Sequence, residues 1–364
     1  MIATQFMKDE YPDVKQDLYG AFVVRGIELA DRRGLLAIVI GDTWMSIKSF
    51  EALRLRLLSG HSFGSFVHMR DVSNHPDIFG ANAAFVLSMA GERSRHAPFI
   101  RLTPLGSERK EQDLRVALAE QAKDAGYHLA SGEDFAAIPG SPIVYWLSEK
   151  LRRVFAVCDS IGGRFDAIAG ISTGDNGRFF RYWHEVSAAR IGGGSEGAPW
   201  APHHKGGASR KWAGNVEHVL RYAESSVQQM KLLPGFRHDG NADYFKPHVG
   251  WSALTSGPPS FRAIPVGCTF GSGSKALMIS GNVAMAEIAV LNSALTLALL
   301  RALSPTMNYE VGHILSLPMA PSGANEVVEG ATELIAESQR DWDDAETSIG
   351  FTESPLVALA RERP

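Results

Sequence analysis

Cysteine is scarce. Cys158 and Cys268 are the two in 364 residues, far apart and outside any zinc-ligand spacing, which excludes a disulfide framework and reads as buried thiols in a reducing compartment. His203-His204 has no partner at metal-ligand spacing either. The opening Met1-Ile2-Ala3-Thr4-Gln5 lacks the basic segment and apolar core of a signal peptide, so the reading is a cytoplasmic protein. The longest apolar run, 283–303, reaches membrane-span length but holds Glu287, Asn292 and Arg301, which favours one buried helix ended by Ser304-Pro305 and no membrane. No strand with a glycine-rich turn precedes the first apolar strand, which excludes a cofactor loop of the dinucleotide type. Phe270-Gly271-Ser272-Gly273-Ser274 lacks a third glycine at the required distance and reads as a turn. Gly257-Pro258-Pro259-Ser260-Phe261 has no Asn or Asp before it to accept hydrogen bonds from an amine, and is also read as a turn. No nucleophile, base and orienter form a set, so no catalytic, cofactor-binding or metal-binding residue is assigned.

What remains is an ordinary globular composition, 45% hydrophobic and 21% charged, in a chain long enough for two domains and an appendage. Residues 17–33 have the apolar spacing of a helix, with Leu18 and Phe22 on one stripe and Gly34 as its stop. The run Leu35-Leu36-Ala37-Ile38-Val39-Ile40 suits a central parallel strand covered on both faces. A helix over 47–58 and strands over 63–69 and 83–89 complete an α/β pattern, the second half of a doubly wound sheet. Ligands of such sheets sit beyond the carboxyl ends of the strands, which makes Asp42, Thr43 and Trp44 a candidate target-base pocket. The bland alternative for Trp44 is packing against the next helix. Helical character over 108–125, breaks at Pro139-Gly140-Ser141-Pro142 and a short helix over 145–155 read as a connector. From 161 to 318 short β-like runs alternate with Gly/Pro turns, and from 325 an acidic helical tail carries Asp341-Trp342-Asp343-Asp344.

One stretch is basic. Residues 172–215 hold six Lys/Arg against three acids, a net +3, while the whole chain carries −4 and the remainder therefore −7. Three of the seven tryptophans also fall there. Cations interleaved with aromatics and glycines suit a surface that neutralises phosphates and stacks on bases. Arg178, Arg181, Lys205, Arg210 and Lys211 are the candidate phosphate or guanine-edge contacts, and Phe179, Trp183 and Trp212 would stack or support the loops. The alternative is a loop-rich β-domain with core aromatics and solvated arginines.

Several ordered blocks carry a resemblance. Asp17-Leu18-Tyr19-Gly20-Ala21-Phe22, Gly34 to Ile40 and Ser49-Phe50-Glu51-Ala52-Leu53-Arg54 resemble the region after the catalytic motif of adenine-specific DNA methyltransferases. Ile138-Pro139-Gly140-Ser141-Pro142-Ile143-Val144-Tyr145-Trp146, Gly174-Asp175-Asn176-Gly177-Arg178-Phe179, Lys205-Gly206-Gly207, Arg210-Lys211-Trp212, Leu291-Asn292-Ser293, Ser304-Pro305-Thr306-Met307-Asn308-Tyr309-Glu310-Val311-Gly312 and Asp341-Trp342-Asp343 resemble the PglX-type methyltransferases of BREX phage-defence systems. The resemblance implies a Rossmann-like domain and a target-recognition domain that transfer methyl from S-adenosylmethionine to adenine in double-stranded DNA. Such enzymes extrude the target base. The glycine-rich cofactor motif and the Asn-Pro-Pro-Tyr motif of the family lie upstream of the part that matches, so no residue here inherits their roles.

The expected organisation is half of a Rossmann-like sheet (1–105), a connector (106–155), a mixed α+β target-recognition domain (156–320) and a helical tail (321–364). The expected role is DNA sequence recognition without activity alone. Two alternatives stand beside it: half of a split methyltransferase completed by an N-terminal partner chain, and a non-catalytic interaction protein or truncated gene product.

Overall fold

The computed structural model describes residues 2–15, 17–70, 81–102, 109–304, 307–319 and 325–362. The expected boundaries at 105/106 and 320/321, and Pro305-Thr306, lie outside them. Two compact units divide at Cys158/Asp159, so the segment expected as a connector belongs to the first.

The first unit opens with α1 (Ile2–Glu10) and α2 (Leu18–Leu29), the latter started by Asp17, whose carboxylate accepts from Tyr19 N at 3.2 Å. The helix stops at Ala30, short of the Gly34 stop expected. Strand β1 (Leu35–Gly41), helix α3 (Glu51–Gly60) and strands β2 (Ser62–Arg70), β3 (Ala81–Ser88) and β4 (Ala97–Arg101) follow, then α4 (Lys110–Glu120), β5 (Tyr127–Ala130), α5 (Gly132–Ala136) and α6 (Glu149–Val157). The sheet order is β1-β3-β2-β4-β5. Among the described residues of this sheet only β2 and β4 pair in parallel; β1 runs antiparallel to β3, with Leu35 opposite Ser88 and Gly41 opposite Asn82. This corrects the expectation of a central parallel strand. Among the described residues β1 is an edge, and Val39 on it is 58% exposed. An unbroken apolar run records two faces that avoid water, and nothing among the described residues covers one of them.

Residues 127–147 are integral to this unit. Strand β5 pairs with β4, Ser131 and Asp134 form a capping box on α5, and Ile143 N donates to Met45 O at 2.9 Å. Limited proteolysis is therefore expected to separate fragments near 158/159 and to spare 126–141; a first cut inside β5 or α5 would contradict this division.

The core is an aromatic column: Phe66, Phe99 and Tyr145 stack at 5.0 Å centroid spacings, with Trp44 5.4 Å from Phe85. Buried Arg54 braces it. Its Nη1 donates to Trp44 O and Ile47 O and its Nε to Gly140 O, each at 2.8 Å, while burial lowers its pKa to about 10. Arg54→Ala leaves these carbonyls without their donor, a cost of roughly 3 kcal/mol. A fall of roughly 6–12 °C in the first unit's melting transition is the expected result, read by differential scanning calorimetry.

Among its described residues the second unit holds two four-stranded sheets. Its elements are β6 (Ala167–Ala169), α7 (Asn176–Phe179), β7 (Phe180–Tyr182), β8 (Trp200–His204), β9 (His218–Arg221), α8 (Glu224–Lys231), β10 (His248–Ser252), β11 (Phe261–Ile264), β12 (Thr269–Phe270) and β13 (Ser274–Leu277). Helices α9 (Gly281–Leu291), α10 (Ala294–Leu303), α11 (Val311–Leu315), α12 (Asn325–Asp343) and α13 (Pro355–Glu362) follow. One sheet runs β11-β10-β13-β6, all antiparallel; the other runs β12-β8-β9-β7, with β12 and β8 parallel.

The single helix expected over 283–303 is instead α9 and α10, bent by 73°. Asn292 makes the break. Its side chain donates to Phe261 O at 2.9 Å and accepts from Phe261 N at 3.0 Å, and Ser293 then caps α10 by accepting from Thr296 N. Among the described residues no single helix is long and apolar enough to cross a membrane. Cys268 is buried, which raises its thiol to about 12, but Cys158 is exposed, contrary to its expected burial.

Candidate nucleic-acid interface

The basic block folds around a short local turn. Thr173, fully buried, donates from Oγ1 to Asn176 Oδ1 at 2.8 Å, and Asp175 caps α7 by accepting from Arg178 N at 3.1 Å. Gly174 sits at φ +77, and a Cβ there would stand 2.8 Å from Leu233 Cβ, so glycine is required.

The candidate contacts divide into two groups. Arg178 is exposed, hydrogen-bonded to Gln229 and 5.1 Å over the Phe179 ring; Lys205 is exposed, its Nζ 5.2 Å from the Phe180 ring centre. Three other cations are tied internally. Arg181 Nη1 donates to Gly177 O and Phe180 O at the end of α7, and Lys211 Nζ donates to Asn292 O at 2.7 Å. Arg210 reaches the tail: Nε donates to Ala213 O at 3.2 Å, Nη2 to Ser338 O at 3.0 Å and to Asp341 Oδ2 at 2.6 Å, and the group lies 5.1 Å over Trp342. Helix α12, the acidic helical tail, is thus pinned to the loop at 210–213.

The aromatics also divide. Phe179 is 1% exposed and belongs to the core, so of its two expected roles, stacking on a base or supporting the loops, its burial suits the second. Trp183 donates from Nε1 to Thr347 O at 3.1 Å, and Trp212 takes φ +74 where its N–H and C=O bridge to β11. What sequence reasoning missed is a ring cluster at edge strand β7: Tyr182 lies 4.6 Å from His218 and 5.6 Å from His184, beside Lys205. Burial, then Lys205, lowers the pKa of His218 to about 4. Strand alternation could have hinted at Tyr182; its pairing with His218 needs the β7–β9 register.

In the first unit, Asp42 and Thr43 lie just past the carboxyl end of β1. Trp44 does not join them: it is 0% exposed and packs on Phe66 and Phe85, so the core reading of Trp44 holds and its place in a base pocket is withdrawn. Asp42 instead heads a polar chain. His68 Nε2 lies 3.1 Å from Asp42 Oδ2 and His68 Nδ1 3.0 Å from Tyr145 OH, while Tyr19 OH meets Thr43 Oγ1 at 2.6 Å. Burial raises the Tyr145 hydroxyl well above its usual range and raises that of Tyr19 above its ordinary value. His68 and Tyr145 are 77 residues apart, a pairing invisible without the fold.

His203 and His204, on β8, are fully buried, and burial keeps both imidazoles neutral far below their usual pKa. Among the described residues no three His, Cys, Asp or Glu side chains converge to hold a metal.

Residues 2–74 match the family described as Eco57I restriction-modification methylase. A solved structure of the type IIL restriction-modification enzyme MmeI in complex with DNA is similar in fold over 98% of this chain and 50% of that one, with a TM-score of 0.59 at 9% identity. The chain thus has a methyltransferase-like α/β fold. Across 98% of its length it is 30% identical to the adenine-specific methyltransferase PglX of Lacticaseibacillus casei (strain Zhang), covering 31% of that protein. Across 97% it is 28% identical to the adenine-specific methyltransferase BrxX of Escherichia coli O9:H4 (strain HS), covering 29% of it. It belongs with the PglX-type adenine-specific methyltransferases and spans about a third of the length of these relatives.

Proposed function

We propose that this chain is a DNA sequence-recognition portion of an adenine-specific methyltransferase of BREX or restriction-modification type. The observation that carries the reading is the second unit's basic block, which leaves Arg178 and Lys205 at the surface beside β7, with the exposed rings of Tyr182 and His184 next to them. The whole-chain relationship to adenine-specific methyltransferases supports it, as does the fold shared with a DNA-bound restriction-modification enzyme. Arg178 and Lys205 hold phosphates; Arg210, Arg181 and Lys211 shape the loops that present them. Retention of the chain by duplex DNA at low salt and release at moderate salt tests this reading.

The edge of the first unit favours a second role. Strand β1 has one unpaired side among the described residues, and α2 beside it leaves Phe22 62% exposed. An apolar edge of this kind is what a further strand and helix would cover. In this reading an N-terminal methyltransferase partner, carrying the cofactor and Asn-Pro-Pro-Tyr motifs, docks there. Asp42, held by His68, then faces the target base. Comparing methyl transfer by the chain with and without such a partner separates the two readings.

A further inference from the structure

The rings of Tyr182 and His184 at and after β7 are exposed, and their arrangement is ordered. Tyr182, 46% exposed, lies parallel to His184, 7° between planes, and opposite His218 across the β7–β9 pairing, 34° between planes. Phe180, nearly buried, forms the floor under Lys205, whose Nζ is also 3.5 Å from His218 Nε2. Three ties fix the segment. Trp183 N donates to Glu217 O at 3.1 Å, Trp183 Nε1 to Thr347 O, and Tyr182 N to Glu185 Oε2 at 2.7 Å.

We propose that Tyr182, His184 and His218, with Lys205, form a stacking platform for an unpaired nucleobase. Aromatic faces held in place at a sheet edge offer sequence-tolerant stacking with little ordering cost, and Lys205 supplies a cation for the adjoining phosphate. Glu185 and Glu217 stand nearby, Glu185 turned back to the Tyr182 N–H. The base must be unpaired because inside a duplex both of its faces are covered by its neighbours. A nucleotide displaced when a duplex is opened, or a single strand, presents such a face. The inference rests on the DNA-recognition reading and adds a second kind of nucleic-acid contact to it.

The test uses the intact chain and a short thymidine oligonucleotide carrying a central 2-aminopurine, with a matched duplex alongside. Stacking predicts quenching of the single-strand fluorescence, and a loss of about tenfold in affinity with Tyr182→Ala. Tyr182→Trp should retain both affinity and quenching. His184→Ala, outside the strand, should weaken both and serves if Tyr182→Ala fails to fold. Lys205→Ala should lower affinity and salt slope while leaving quenching at saturation. Quenching by Tyr182→Ala equal to that of the unaltered chain overturns the platform. So does salt-dependent duplex binding without any single-strand binding, an outcome that leaves DNA recognition standing; absence of binding to either overturns both.

Discussion

Arg178→Glu combined with Lys205→Glu is expected to lower affinity for duplex DNA on the order of 50-fold at 0.1 M salt. The log–log salt slope should flatten by about 1.8, since each phosphate contact contributes roughly 0.9. Both side chains are exposed and neither carries an ion pair among the described residues, so the fold should tolerate the change. Arg210→Ala should act differently. It removes the donor to Ala213 O, Ser338 O and Asp341 and the cation over Trp342, and so loosens α12 from the loop at 210–213. Asp341 is exposed, so the ion pair itself adds little; the carbonyl bonds and the stacking together account for about 2 kcal/mol. Melting temperature should fall while the salt slope of the folded protein is unchanged. A slope reduced by Arg210→Ala and untouched by the double reversal would place the interface on the other side of the loop.

Methyl transfer should show the largest contrast of all. Radiolabel from S-adenosylmethionine is expected to stay at the no-protein level with this chain alone; its appearance only when a chain bearing the glycine-rich and Asn-Pro-Pro-Tyr motifs is added would select the split-methyltransferase reading. Holding sulfonium, amine and acceptor in near-attack geometry is worth roughly 7–11 kcal/mol, so a site lacking its cradle loses many orders of magnitude in rate. Transfer by the purified chain alone would reveal a catalytic site among these residues.

Local chemistry made part of this legible in the sequence. The apolar spacing over 17–33 announced α2, the apolar run announced β1, and the short β-like runs expected between 161 and 318 include β10, β11 and β13. Position was harder. The β1 run does not distinguish a central strand from an edge left bare, and only the pairing with β3 places it. The bend at Asn292 was hidden because helix-forming residues flank it on both sides, and its cause, the backbone of Phe261, is 31 residues away. In the basic block, composition identified the cations but not their partners: Arg210 and Lys211 bind elements 81 to 131 residues distant, which sequence proximity cannot signal. His68, Tyr145 and His218 were missed for the same reason. His218 meets Tyr182 only through the β7–β9 register, and His68 meets Tyr145 only when a turn 77 residues away folds against β2.

The most direct measurement of the central claim is fluorescence anisotropy of a labelled duplex titrated with the intact 364-residue chain. Between 50 and 200 mM salt, with at least two phosphate contacts, affinity should fall by about tenfold or more. Affinity that stays constant over this range, or no binding at 50 mM, would contradict the assignment of the second unit to DNA recognition.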